Sequence, residues 1–228
     1  MHAPVTPHQL AEFGQALAEP ARAAILLALI DDRARPAGEL AHIARVTAAT
    51  ASAHLRQLCD KGLLAVHARG RHRYYRLANE DVAHLVEMLA IASERIAPRA
   101  PACADTAFVR ARTCYHHLAG RVGVALFERL RAEGGLELAT DSIRLNANGA
   151  HLLCGAGLVD DDAQLLRLHG RTCVDWTERR LHLSGPLGTH LAARSIACGW
   201  LRPQRGNRAL RVSPRGHAGL HALGIELN

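Results

Sequence analysis

Lysine is almost missing from this chain: Lys61 is the sole lysine, and the other basic side chains are arginine or histidine. Aromatic residues make up 4% of the 228 residues, too few for the stacked-base platforms that hold single-stranded nucleic acid. Long apolar runs are missing too. The longest, Ala23 to Ile30, is eight residues, against the ~20 that a membrane-crossing helix needs. The opening MHAPVTPHQLAEF has no apolar stretch of the kind found in secretion signals, so the sequence predicts a cytoplasmic protein with no membrane partner. No glycine-rich phosphate loop follows a strand, and no segment has a hydrolase or transferase motif, which argues against an enzyme. A catalytic zinc centre would need three ligands, an open position and a base such as Glu178.

What is present is globular composition, 49% hydrophobic and 21% charged, which excludes a disordered chain. The net charge of +7 favours an anionic partner. Six cysteines occur, Cys59, Cys103, Cys114, Cys154, Cys173 and Cys198. A cytoplasmic chain of this length needs no disulfides to hold a core, which leaves metal binding, redox sensing or burial. Cys59, Cys154 and Cys198 lie in or next to helical patterns and are expected to be structural.

Residues 1–96 read as helices and one hairpin. Ala23, Leu26, Leu27 and Ile30 recur at helical spacing behind Pro20, which suits a first turn. A turn at Asp31–Pro36 leads to a short helix near Gly38–Ala44. Thr47 then caps a helix over Ala48–Asp60 with Leu55 and Leu58 inward, and Lys61-Gly62 ends it. Leu64–Arg69 and Arg73–Leu77 alternate as strands around Gly70-Arg71-His72. Asn79 caps a long helix whose Val82, Leu85, Val86, Leu89 and Ile96 form one stripe. Residues 97–105, with two prolines, read as a linker.

Residues 106–228 contain an internal duplication, with copies at about 112–157 and 171–224. Gly120, Gly123, Leu126 and Arg129 match Gly185, Gly188, Leu191 and Arg194 at an offset of 65. Gly134 and Leu136 match Gly199 and Leu201. After a two-residue insertion, Arg144, Gly149, Leu153 and Gly157 match Arg211, Gly216, Leu220 and Gly224. Each copy reads as helix, turn, strand pair and helix, and the two are expected to pack about an approximate twofold. The expected fold is mainly α with β-hairpin wings (α+β). It has an N-terminal winged helix-turn-helix and a C-terminal domain of two tandem winged-helix-like repeats.

The first domain carries a more specific signal. Ala18-Glu-Pro20-Ala-Arg22, Leu40-Ala41, the run Thr47 to Leu58, Gly62-Leu63-Leu64 and Gly70 to Leu77 follow one another in an order that resembles the ArsR/SmtB bacterial repressors over roughly residues 8–95. The resemblance implies a homodimer that covers a promoter and leaves it when an inducer binds. The residues themselves fit double-stranded DNA. Arg45 to Arg76 carries seven basic residues against Asp60 alone, a net +6 in 32 residues. Thr47, Ala48, Ala49, Thr50 and Ser52 are small enough for a helix to enter a major groove, with His54 and Arg56 beside them. Arg69, Arg71 and Arg73 sit on the wing, Arg71 at its tip. An inverted-repeat operator is the expected partner. An architectural DNA-binding protein with no inducer is the alternative.

The inducer site is open. The helix before the recognition helix has no cysteine, so the family's arsenic or cadmium site is absent. Asp81, His84 and Glu87 echo only part of the family's last-helix zinc site. Cys114-x-x-His117 spaces a thiolate and an imidazole on one helical face, and Cys173 and His182 occupy matching places in the second copy. Brought together they form a Cys₂His₂ set suited to a soft or borderline metal such as zinc, with His116, Asp175 and Glu178 nearby. A Cys114–Cys173 disulfide is a second reading. A third is an organic-anion pocket lined by Arg112, Tyr115, Arg171, Trp176 and Arg179.

Overall fold

A computed structural model describes residues 6–69, 72–96, 106–140, 142–160 and 164–227. The expected 97–105 linker, the Gly70-Arg71 wing tip and Cys103 lie outside the described residues. The chain divides into two compact units, Met1–Ser93 and Glu94–Asn228.

In the first unit, α1 (Pro7–Leu17) and α2 (Pro20–Ala28) precede a two-residue strand β1 (Arg35–Pro36), α3 (Ala37–Ala44) and α4 (Ala48–Asp60). The Thr47 hydroxyl accepts the Thr50 N–H at 3.2 Å and so starts α4. Gly62, at φ 70°, ends it, and the Leu63 N–H turns back onto the Leu58 carbonyl at 2.9 Å. Strands β2 (Leu64–Arg69) and β3 (His72–Leu77) pair antiparallel, Leu64 opposite Leu77 and Arg69 opposite His72. β1 adds to the far side of β3. Asn79 accepts the Val82 N–H at 3.0 Å at the start of α5 (Glu80–Ile96). Ile25, Leu26, Leu40, Leu55 and Leu58 are buried at the centre. The α5 stripe is only partly covered: Val86 is buried, and Leu89 is 39% exposed.

The second unit opens with α6 (Thr106–Arg110) and then runs twice through hairpin, helix, hairpin, helix. The first copy is β4 (Arg112–Cys114), β5 (His117–Ala119), α7 (Gly120–Ala132), β6 (Leu136–Leu138), β7 (Ile143–Leu145) and α8 (Ala147–Gly155). The second is β8 (His169–Val174), β9 (Leu181–Ser184), α9 (Gly185–Ala197), β10 (Leu201–Pro203), β11 (Leu210–Val212) and α10 (Pro214–Ala222). Each copy therefore starts with a hairpin that the reading as helix, turn, strand pair and helix did not contain.

The copies lend each other strands. The second hairpin of copy one pairs with the first hairpin of copy two, giving the sheet β6-β7-β8-β9. In return β11 reaches copy one: Leu210 N–H donates to Ala111, and Thr113 N–H donates to Arg208. Equivalent side chains from both copies then fill one core, Val122 with Leu187, Leu126 with Leu191, and Leu153 with Leu220.

Two of the repeated glycines are set by close approach. A Cβ at Gly123 would run into the Leu118 carbonyl, and one at Gly188 into the Leu183 carbonyl, the equivalent strand residue. Gly123→Ala and Gly188→Ala should each cost about 1–3 kcal/mol. Gly14→Ala, in the open space on α1, should instead stabilise by roughly 0.5–1 kcal/mol. Denaturant midpoints of the three variants check the contrast in sign.

Candidate nucleic-acid interface and candidate metal centre

In the first unit the outward side of α4 presents Thr47, Ala48, Ala49, Thr50, Ser52 and Arg56, all exposed, and the wing presents Arg69 and Arg73, also exposed. The hydroxyls are held ready: Thr47 and Thr50 bond each other at 2.8 Å, and Ser52 donates to the Ala48 carbonyl at 2.8 Å. An open cleft of about 500 Å³ runs between helix and wing, with Gly38, Ser52, Arg56, His72 and Arg73 among its lining residues. The sequence reading missed Gly38 and His72, because only the fold brings α3 and β3 alongside α4.

His54 departs from its expected role. It is half-buried, with Nδ1 3.4 Å from Arg22 Nη1, and Gln57 takes the same guanidinium nitrogen at 3.1 Å. The Arg22 contact ties α4 to α2 through one ring nitrogen. Arg71 lies outside the described residues.

The second unit brings Cys114, His117, Cys173 and His182 together. One ligand atom from each lies within 4.8 Å of the other three. The helical geometry assumed for Cys114 and His117 is replaced by a hairpin, in which Cys114 faces His117 directly across β4 and β5. Tyr115, at φ 60°, makes the tight reversal. Cys173 faces His182 in the same way across β8 and β9, so the nine-residue separation needs only a turn. Each copy thus offers one thiol and one imidazole from one cross-strand pair.

Cys114 is 2% exposed and His182 fully buried. His182 Nε2 lies 3.1 Å from His117 Nδ1. Two imidazole nitrogens on one tetrahedral zinc are about 3.3 Å apart and two sulfurs about 3.8 Å, from bond lengths near 2.0 and 2.3 Å. Separations of up to 4.8 Å would close by roughly 1–1.5 Å to hold such an ion. Nδ1 of His182 is buried with no hydrogen-bond partner among the described residues.

A buried ion pair clasps the two hairpins. Arg112 Nη2 donates to Asp175 Oδ1 at 2.7 Å, with side chains 1% and 0% exposed. Asp175 Oδ2 accepts the Gly120 N–H at 2.7 Å, and Oδ1 also accepts from Thr177 and Glu178 backbone N–H groups. Burial pushes the Asp175 carboxyl up. The Arg112 charge and these hydrogen bonds outweigh it and hold the group down to about 2.

This corrects the anion-pocket reading. The Arg112 guanidinium is committed to Asp175 and lies 4.9 Å from the centre of the Phe108 ring and 5.8 Å from that of Trp176. Arg171 and Arg179 are exposed, and Tyr115 stacks near Arg208 at 5.9 Å. Cys154, expected to be structural, is exposed, whereas Cys59 and Cys198 are half-buried.

Residues 17–67 match a family described as a helix-turn-helix domain. The HTH-type transcriptional regulator YdfF of Bacillus subtilis is 37% identical over 216 residues, covering 91% of this chain and 93% of its own. The HTH-type transcriptional regulator Rv0324 of Mycobacterium tuberculosis is 38% identical over 98 residues, 42% of this chain and 43% of its own. Among solved structures, the homodimeric winged helix-turn-helix domain of Mb0332 from Mycobacterium bovis, a possible ArsR-family regulator, is 30% identical. It covers 45% of this chain and 100% of its own at a TM-score of 0.36. At that score kinship rests on the Bacillus relative, whose match takes in most of both units.

Removing one partner of the buried pair leaves the other charged and unpaired. Asp175→Asn should therefore destabilise the second unit by about 3–5 kcal/mol at neutral pH, read by denaturant unfolding. Wild-type stability in that variant would contradict the clasp.

Proposed function

This chain belongs to the helix-turn-helix family of transcriptional regulators, and from that premise we propose that it is a dimeric repressor governed by a metal ion. The ion is held by Cys114, His117, Cys173 and His182. The convergence of these four donors, two from each copy of the duplicated unit, carries the reading. Two thiolates and two imidazoles suit a soft or borderline ion of the zinc class. Such an ion ties together hairpins that belong to different copies, so its binding energy acts on their packing.

The first unit reads DNA through α4 in the major groove and the wing arginines on the backbone. Two copies would span half-sites one helical turn apart. Leu10 on α1 and Met88 and Leu89 on α5 leave apolar surface exposed at 66%, 42% and 39%, the kind of surface a second copy covers. The protein is read as acting in the cytoplasm, and none of the described helices is long and apolar enough to cross a membrane.

Lowering operator affinity ~100-fold requires a coupling of roughly 2.7 kcal/mol. Zinc binding at structural sites is worth ~10 kcal/mol or more, so part of one site's energy suffices. The test selects duplexes from a random pool with wild-type protein, then measures their binding with and without Zn²⁺. Wild type should take up one ion per chain and release DNA. Cys114→Ser and Cys173→Ser should each bind DNA as tightly as metal-free wild type and ignore the ion. An unchanged metal response in the double serine variant would refute the site. Arg56→Ala with Arg73→Ala should weaken DNA binding whether or not metal is added.

A further inference from the structure

The excess positive charge of this chain lies mainly outside the winged helix. Residues 94–228 hold eighteen arginines against twelve acids, whereas residues 1–93 hold ten basic residues against nine. Within the second unit the charge is concentrated. Residues 198–225 contain five arginines, Arg202, Arg205, Arg208, Arg211 and Arg215, and no Asp or Glu. Arg208 is drawn inward, its guanidinium 5.8 Å from the centre of the Phe108 ring. The other four are exposed, and none meets a carboxylate among the described residues.

Their arrangement works against the stability of the fold. Arg202 on β10 is the direct cross-strand partner of Arg211 on β11, and like charges directly opposite each other destabilise a hairpin. Arg215 sits in the first turn of α10, which has no acidic residue. That is the positive end of the helix dipole, where a cation is disfavoured. The first copy, with the same local fold, avoids both. There Glu137 faces Arg144, and the position equivalent to Arg215 is Asn148. Composition bias toward arginine acts on both copies alike and does not explain the difference. An anion bound across the hairpin does, because it turns the repulsion into bridging.

We propose that the β10–β11 hairpin and the start of α10 form a second binding surface for the phosphate backbone of duplex DNA. Three-residue strands and their turn spread the charge over roughly 10 Å, which suits a row of phosphates better than one small anion. No aromatic residue lies between Leu201 and Arg215, and Trp200 is buried, so the surface has nothing on which unpaired bases would stack. The contact adds affinity without reading sequence, since arginines on phosphates position a protein but do not specify bases.

The test uses the full chain and a duplex that extends past its selected site, with affinity followed across a salt series. Wild-type binding, measured first, tests the helix-turn-helix reading separately. Arg202→Gln with Arg211→Gln should flatten the slope of log affinity against log salt by about 0.9 per lost phosphate contact, nearly 2 per chain. Arg131→Gln with Arg167→Gln removes equal charge from exposed sites elsewhere in the unit and should leave the slope unchanged. Arg202→Glu recreates the Glu137–Arg144 arrangement of the first copy, so it should raise thermal stability while weakening DNA binding. A merely structural role would not move the two in opposite directions. Wild-type affinity and slope in the Arg202/Arg211 variant, or an equal loss in the Arg131/Arg167 control, would overturn the proposal.

Discussion

The Asp175 carboxylate gathers three separate stretches of the second unit. It takes the guanidinium of Arg112 on β4, the first N–H of α7 at Gly120, and the N–H groups of its own turn between β8 and β9. Arg112 stands two residues before Cys114, Gly120 three after His117, and Asp175 two after Cys173. Every hairpin that carries a candidate ligand is thus anchored by one buried group. A pair this deep gains little over a hydrophobic substitute of the same shape, but it is expensive to break. Its effect is to fix register: with β4, α7 and the β8–β9 turn held, Cys114 and Cys173 sit at set positions opposite His117 and His182.

Duplication explains why the candidate ligands come in matched pairs. Each copy alone offers one thiol and one imidazole across a short hairpin, too few for a tetrahedral ion. The exchange of hairpins between copies, β7 onto β8 and β11 toward β4, brings two such pairs face to face. The glycines at 123 and 188 let each helix approach its preceding strand closely enough for this packing. The copies then diverge where they meet solvent: one wing keeps a Glu137–Arg144 pair, and the other sets Arg202 against Arg211.

Much of this was legible in the sequence because the signals are local or repeated. Thr47, Gly62 and Asn79 mark helix ends by chemistry that acts within a few residues, and α4 and α5 fall where those caps place them. The repeated Cys and His stood out by offset, with no need to know the fold. The leading hairpins did not: β4 and β5 have three residues each, too short to show an alternating pattern, and β8 and β9 are separated by the turn at residues 175–180. The Cys114-x-x-His117 spacing of three fits one turn of helix as well as a tight hairpin, and only the fold decides between them. His54 and Arg22 are 32 residues apart, and Arg112 and Asp175 are 63 apart. No local rule pairs such groups, so the sequence alone shows neither contact.

Cys114, His117, Cys173 and His182 are proposed to bind one ion together. X-ray absorption of the purified full chain loaded with one equivalent of Zn²⁺ reads the ligand atoms themselves. A four-coordinate shell of two sulfurs at about 2.3 Å and two nitrogens at about 2.0–2.1 Å is expected, with the sulfur contribution halved in Cys114→Ser. A shell of oxygen and nitrogen alone, or a spectrum unchanged by that substitution, would contradict it.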